Sequence, residues 1–552
     1  MRSSRHALWL ILAVALAIRL APMFFQRQVG RDIVEYQNLA ENILAGRGFI
    51  LDIKAYWAAP TPVVHYGFHE RPLLAPMLLA LMRLIAPPFA ASQLIGPFLY
   101  LAALGLIHQT LRRRIGPGVA FSTGILLALH PALFQLSLAP LSEGASMFTL
   151  ALIVWAYFSQ RSAWLTGLAC SLAFLSRPSM LLVAAVFGLA YLIQSIHNRR
   201  ASLVALFTGF ALVGPLWQIS LNRAMGAPSF LAPQSFLFRV MSFQDGLHYF
   251  HRGLVYPSTA ELLKAKGSEV AYLIGLNAVH YARVIVSVEG LGLLIVLMPL
   301  ACVGLWQSRP LRRFGWLGII ALADLTLYSI SWATFDAGRF LCIPYLLLIT
   351  LTVIGAYEIL DRQPLLGIRN AWRSAAFYAT MAVALIWLGL DIQSVYSSTR
   401  EWKLGKFYSN PMAQLEAKPE AAAFTITILQ HAARQIQSGS SRKPIVGSND
   451  PWLIYDLTRL PAGKIPFDLQ GDEWIRHLER MGATIVALQL ADWPEDCRLN
   501  QENLLQELAN DGWVPSFAQG ELQIWIKPTT GNVQPSGRMN ENPQIPSSGL
   551  EA

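Results

Sequence analysis

Charge is what this chain has least of. Only 14% of its 552 residues are Asp, Glu, Lys or Arg, against about 25% in soluble domains, and 54% are hydrophobic. With a mean hydropathy of +0.42, a single soluble globule is excluded and a polytopic membrane protein is expected. Cysteine is nearly as scarce. Cys170, Cys302 and Cys342 fall in apolar runs and Cys497 stands alone, so neither a zinc centre nor a disulfide framework is expected. A Gly-rich phosphate loop and a convincing internal repeat are missing as well. The net charge of +10 comes in short clusters between apolar runs, the pattern of cytoplasmic loops and not of a nucleic-acid surface. The first apolar run, 7–25, follows Arg2 and Arg5 and has no small-residue cleavage site after it. It reads as a retained helix with the N-terminus inside.

What is present is a series of apolar segments. A spanning helix needs about 20 predominantly apolar residues, and about eleven segments qualify: 7–25, 91–111, 118–138, 141–158, the shorter 163–176, 179–196, 201–221, 284–305, 315–333, 340–360 and 375–393. Alternation from an inside N-terminus places Arg112, Arg113, Arg114, Arg161, Arg199, Arg200, Arg309, Arg312, Arg313, Arg362, Arg369 and Arg373 in inside loops. The positive-inside rule agrees at every turn. An odd number of spans puts the C-terminal part outside.

The expected organisation is a transmembrane domain over 1–395 with a first outer loop at about 26–90, an extracytoplasmic α/β domain over 396–528, and a disordered tail over 529–552. In the first outer loop, Ile33, Tyr36, Ala40, Ile43 and Leu44 recur at helical spacing, with Gly46 and Gly48 as a stop. Asp32 stands at the start of that helix. Residues 72–85 are too short to cross and predict a helix along the outer surface or a re-entrant piece. A polar loop is expected over 222–282. In the C-terminal part the pattern predicts strands at 444–448, 464–467 and 483–490, helices at 451–457, 472–481 and 501–509, and a hairpin over 513–527 turning at 519–520.

The polar residues that alternation leaves on the outer side are few. They are Asp32, Glu70 and Arg71 in the first loop, Glu143 between the third and fourth spans, Arg177 after the fifth, and Asp336 and Arg339 between the ninth and tenth. Guanidinium groups bind phosphate bidentately and stay charged, and a carboxylate can take a proton from an attacking hydroxyl or hold a cation. Acids and arginines at one membrane level therefore fit a reaction on an anionic lipid headgroup. Each residue also has a plainer use: Asp32 as a helix cap, Glu143 as a first-turn acid, Arg177 and Arg339 as cations snorkelling to headgroups. His65 and His69 read as polar loop residues, and Asp324 and Glu289 as acids within spans.

The motifs resemble a known family. Asp32, Tyr36, Ala40, Ile43, Leu44, Gly46, Gly48 and Phe49 resemble the first outer loop of GT-C glycosyltransferases, in the branch of the protein O-mannosyltransferases and lipid A aminoarabinose transferases. Arg71, Pro72 and Pro76 match a second motif, with Leu73 where the family more often has proline. Ser142–Glu143, Arg177–Pro178 and Arg339–Phe340 with Pro344 match further positions. The resemblance spans roughly 7–395 and implies a GT-C fold, mainly α, with a small C-terminal α/β domain. It implies transfer of a sugar, in an inverting displacement, from a polyprenyl-phosphate donor to a protein, lipid A or glycan acceptor at the outer face of a bacterial inner membrane.

In that reading Asp32 is the base and Glu143 positions the acceptor or, if a cation is used, holds it. Arg71, Arg177 and Arg339 hold the donor phosphate, and Tyr36, His69 and Glu70 line the substrate site. Many relatives carry Asp-Glu at the first acid position, where this chain has Asp32–Ile33. That leaves a divalent cation without a ligand pair to hold it, and no metal ligand is assigned. A lipid-linked glycan ligase or polymerase would instead work through the 222–282 loop, which holds His248, His251 and Arg252. A flippase would show repeats and midplane polar groups, and a sensor has no use for the acid–arginine set.

Overall fold

The computed structural model describes residues 2–25, 31–54, 63–67, 71–138, 142–159, 162–177, 179–194, 199–211, 259–287, 294–307, 311–331, 340–359, 419–437, 443–466, 471–490, 498–519 and 522–528, with a few single residues between them. The chain begins with α1 (Arg2–Phe25). A mixed segment follows, made of α2 (Arg31–Leu44), β1 (Ile50–Leu51), β2 (Ile53–Lys54), β3 (His65–Tyr66) and α3 (Leu74–Arg83). Next come α4 (Pro88–Arg114), α5 (Pro117–Leu129), α6 (Pro131–Leu138), α7 (Ser142–Phe158), α8 (Ala163–Ser176), α9 (Met180–Gln194) and α10 (Arg199–Ala211). The apolar part continues with α11 (Thr259–Val286), α12 (Leu294–Gln307), α13 (Gly315–Ser331) and α14 (Cys342–Tyr357). The last expected span, 375–393, and the tail lie outside the described residues, as does most of the 222–282 loop.

These helices share one apolar core running from Ile11 and Tyr100 through Leu150, Phe187 and Leu317 to Leu346. Among the described residues only Ala90–Arg114 is long and apolar enough to cross a membrane unaided, or two spans if the bent pair α5–α6 counts as one. Two expectations are corrected. The span expected over 118–138 bends by 63° between α5 and α6, because Pro131 has no N–H to give to Leu127. The freed carbonyls find other donors. Tyr100 Oη donates to Leu127 O at 2.5 Å, and the fully buried Arg19 donates to Ala128 O at 3.1 Å and to Ser137 Oγ at 2.7 Å.

The span expected at 284–305 is also redrawn. α11 starts at Thr259, inside the expected polar loop, and kinks at Lys266. It buries Val270, Leu273, Asn277, Tyr281 and Ile285 along one stripe. The chain then turns at Gly292 (φ 52°) into α12. α8 and α10 approach backbone to backbone: a Cβ on Gly167 would lie 2.0 Å from Leu206 O, and one on Gly209 2.3 Å from Trp164 O. Small residues at such crossings are the usual means of close helix packing in membranes.

The C-terminal part contains α15 (Pro419–Gln437), β4 (Ile445–Ser448), α16 (Pro451–Thr458), β5 (Ala462–Lys464), α17 (Glu473–Met481), β6 (Ala483–Gln489), α18 (Arg498–Asn510), β7 (Val514–Gln519) and β8 (Leu522–Ile526). The strand expected at 464–467 lies earlier, at β5. The sheet runs β2-β5-β4-β6-β8-β7, parallel through its first four strands and antiparallel beyond. Alternate β6 side chains face opposite layers. Ile485 and Ala487 meet Phe424 and Ile428 of α15 with Ile454 of α16, whereas Val486 and Leu488 meet Trp474 and Leu478 of α17 with Leu504 of α18. Trp474, His477, Leu478 and Met481 are the buried positions of α17, spaced as one helical stripe.

The edge strand β2 comes from the segment between α1 and α4 and pairs in parallel with β5, Ile53 opposite Ala462 and Lys54 opposite Gly463. That segment and the C-terminal part thus share one sheet. Val34 and Leu39 of α2 share a further core with Trp452 and Tyr455 of α16 and Phe174 of α8.

Candidate active site

α2 forms because its apolar residues fall on helical spacing, with Asp32 in the first turn, where an acid faces the positive end of the helix dipole. Gly46 and Gly48, at φ 72° and 83°, take the chain out of the helix through a conformation other residues resist. The first two turns of α2 present Asp32, Glu35 and Tyr36 to Arg71, which enters from the segment ahead of α3. Arg71 NH2 donates to Asp32 Oδ1 at 2.6 Å, and Arg71 Nε pairs with Glu35 Oε2. Asp32 and Arg71 keep side-chain exposures of 22% and 13%, so this pair is reachable by a ligand. Glu35 has none.

Tyr36 connects this pair to the helical core. It is 2% exposed, the Arg71 guanidinium lies 5.9 Å from its ring, and its hydroxyl bonds the Ser142 side chain. Burial pushes its phenol up to about 12, with Arg71 lowering it and Asp32 and Glu143 raising it. Tyr36 is therefore a neutral hydrogen-bonding group at physiological pH.

Ser142 and Glu143 open α7, and Glu143 is fully buried. The close approach of Gly144 to Gly96 of α4, where an added Cβ would sit 3.5 Å from Gly96 Cα, seats that first turn against the neighbouring helix. Arg177 follows α8, which stops there because the next residue is Pro178. Its guanidinium reaches Glu143 Oε1 at 3.9 Å and Cys342 Sγ at 3.7 Å, with the Tyr328 and Phe340 rings 5.4 and 5.0 Å away. Asp324 of α13, 1% exposed, lies close enough to Arg177 to interact with its charge.

Asp32, Tyr36, Arg71, Glu143 and Arg177 are thus brought together from four separate stretches. His69, Glu70 and Arg339, with Asp336, lie outside the described residues. His65 is buried on β3, its Nδ1 2.9 Å from Val63 O. Among the described residues no group of three or more His, Cys, Asp or Glu is placed to hold a metal ion.

Glu35 was absent from the sequence-derived set. Its signal was its position three residues after Asp32, which puts both carboxylates on one side of a helix. The α16 contacts were not foreseen either. Trp452 Nε1 donates to Glu35 Oε1. Tyr455 Oη donates to Glu41 Oε2 at 3.1 Å and accepts from Asn38 Nδ2. Asn38 and Asn42 in turn hold Asp52, just ahead of β2, at 2.9 and 3.1 Å.

No protein-family model matches the chain, and no curated protein matches it in sequence. Solved structures do. The Archaeoglobus fulgidus oligosaccharyltransferase in complex with Zn and sulfate aligns with TM-score 0.56 at 13% identity, over 90% of this chain and 70% of that one. The archaeal oligosaccharyltransferase AglB from Archaeoglobus fulgidus, with an inhibitory peptide and a dolichol-phosphate, aligns with TM-score 0.53 at 13% identity, over 97% and 75%. ArnT from Cupriavidus metallidurans, bound to undecaprenyl phosphate, aligns with TM-score 0.52 at 14% identity, over 94% and 97%. At such identities the shared property is the fold: the chain has the GT-C fold that its outer-loop motifs resemble.

Proposed function

We propose that the protein is an inverting glycosyltransferase that moves a sugar from a polyprenyl-phosphate donor to an acceptor on the outer face of a bacterial inner membrane, with its N-terminus cytoplasmic and its C-terminal domain outside. The observation that carries this reading is the meeting of Asp32 with Arg71 at 2.6 Å beside Tyr36, Glu143 and Arg177. Polyprenyl phosphates in the ArnT and AglB structures supply the donor class by analogy of fold.

The acceptor oxygen attacks the anomeric carbon and gives its proton to Asp32. The bond from that carbon to the phosphate oxygen breaks, and the lipid phosphate leaves with the electron pair. Arginines stabilise that charge, the contribution that dominates many such steps. Charge balance shapes the sequence of events. Arg71 is held by Asp32 and Glu35, and Arg177 lies beside Glu143 and Asp324. A donor phosphate therefore draws Arg71 away from Asp32, which frees the carboxylate as it is needed, and Arg339 brings a third positive charge. Glu143, next to Arg177 and coupled to Tyr36, orients the acceptor side.

Among the described residues no three acids, histidines or cysteines come together to hold a metal ion. No step is assigned to one. The test is release of free polyprenyl phosphate from a labelled polyprenyl-phosphate sugar by the purified protein. Release that needs an acceptor supports transfer. Movement of intact donor across vesicles without release overturns it in favour of a flippase. Glycan profiles of cell envelopes with and without the protein name the acceptor.

A further inference from the structure

Glu35 has no part in the proposed bond changes, yet it is the most enclosed acid of α2. One carboxylate oxygen pairs with Arg71 Nε and the other accepts from Trp452 Nε1 at 2.5 Å. Trp452 stands in the first turn of α16, whose start is fixed by Asp450 Oδ1 accepting from Leu453 N at 3.1 Å and by Pro451. A polar path therefore runs from the C-terminal sheet to the candidate base: Trp452, Glu35, Arg71, Asp32.

Adhesion alone does not call for this path. Val34 and Leu39 already pack against Trp452 and Tyr455, and β2 already pairs with β5. A buried ion pair is often no more stabilising than apolar residues of the same size, so a carboxylate here is poorly explained as glue. Its geometry does suit orientation. An arginine held on one edge by a fixed carboxylate presents its remaining N–H groups in a set direction.

We propose that Glu35 and Trp452 are positioning residues through which the C-terminal domain sets Arg71 against Asp32 and the donor phosphate. This rests on the transferase reading. It makes turnover depend on docking of the C-terminal domain.

The experiment compares Trp452→Phe, which keeps an aromatic ring at the position but removes the N–H donor along with part of the buried indole, with Tyr455→Phe in the same helix. Tyr455→Phe removes two hydrogen bonds to α2, to Glu41 and from Asn38, and neither partner touches Arg71. If the interface served only as glue, both changes would lower the melting temperature and leave kcat of the folded protein unchanged. Expected instead is a fall in kcat of about tenfold for Trp452→Phe, with donor KM changed less than about twofold, and no change in either constant for Tyr455→Phe. Glu35→Gln, which keeps an acceptor for the indole but loses the charge facing Arg71, lowers kcat at least as much. The double variant falls no further, as residues acting in series require.

A second readout does not depend on turnover. Phenylglyoxal modification of Arg71, followed by mass spectrometry on the detergent-solubilised full chain, proceeds about threefold faster in Trp452→Phe and Glu35→Gln than in wild type or Tyr455→Phe. Equal Arg71 labelling in all four proteins overturns the positioning role. So does a Tyr455→Phe defect as large as that of Trp452→Phe. A wild-type protein that releases no lipid phosphate overturns the transferase reading instead, and the labelling still decides the clamp.

Discussion

Asp32→Asn separates chemistry from folding more sharply than any other substitution in the site. The change is nearly isosteric, and Asn is as good as Asp near a helix start. What is lost is one negative charge opposite Arg71 at 2.6 Å. The pair is 22% and 13% exposed, so solvent already screens it. Asn still accepts a hydrogen bond, and the stability cost is about 1 kcal/mol, with a few tenths more from the helix dipole. A protein stable by roughly 5–15 kcal/mol remains folded after such a loss. Removing a general base, by contrast, slows a step by about 10²–10⁴-fold, equivalent to roughly 3–5 kcal/mol in the barrier. The activity loss thus exceeds anything unfolding could cause. Release of polyprenyl phosphate from labelled donor measures turnover, filter binding of the same donor measures affinity, and a tryptophan-fluorescence melt measures stability. The variant is expected to bind donor at least as well as wild type, because Arg71 is held less tightly. Turnover within about threefold of wild type would remove Asp32 from the role of base.

Arg177→Met leaves the fully buried Glu143 without the guanidinium 3.9 Å away, a loss of about 3–5 kcal/mol for breaking a buried pair. The double variant with Glu143→Gln regains much of the melting temperature but none of the activity, which a melt and the release assay check together. Gly167→Ala places a Cβ 2.0 Å from Leu206 O and costs about 1–3 kcal/mol through forced separation of α8 from α10. Because α8 ends at Arg177, donor KM rises as well, and a normal KM with a lowered melting temperature would break that link. Burial lowers His477 to about 4, with the Lys464 carbonyl offsetting part and Lys54 and Arg480 adding to the fall. The unfolded chain takes up this proton first, near the ordinary value of about 6.5. Stability is therefore complete above that pH, falls as pH drops, and levels off near 4, a loss of up to about 3 kcal/mol. Melts across this range should flatten in His477→Gln, and an unchanged slope would assign the acid sensitivity to another group.

The apolar helices and the acid–arginine set were legible because both follow from local sequence. Apolar length marks a helix, and the arginine clusters between helices leave only a short list of other charged residues to consider together. This is how Asp32, Arg71, Glu143 and Arg177 could be named together without any view of their contacts. Misreadings arose where local signals conflicted. Lys264, Lys266 and Glu269 made the start of α11 look like loop, although Val270, Leu273, Tyr281 and Ile285 carry a helical stripe through it. Pro131 hid a sharp bend inside an apparently continuous span.

What local pattern could not supply was the partner of the outer loop. β2 is two residues long and has no periodicity to read, and its partner β5 lies near the other end of the chain. Glu35 looked like a polar face of an exposed amphipathic helix until α16 was laid against that face. The same docking buries Glu35, Asn38 and Asn42, and burial obliges each to find a polar partner. Asp52, Tyr455, Trp452 and Arg71 are those partners. The polar residues of α2 are thus explained from both sides. Toward the helical core they face Arg71 and Ser142, and toward the sheet domain they face α16. A helix recruited to two interfaces keeps its acids only if each side satisfies them. That is why the residue three positions from Asp32, and not the absent neighbouring acid at Ile33, is the second carboxylate of α2 that meets Arg71.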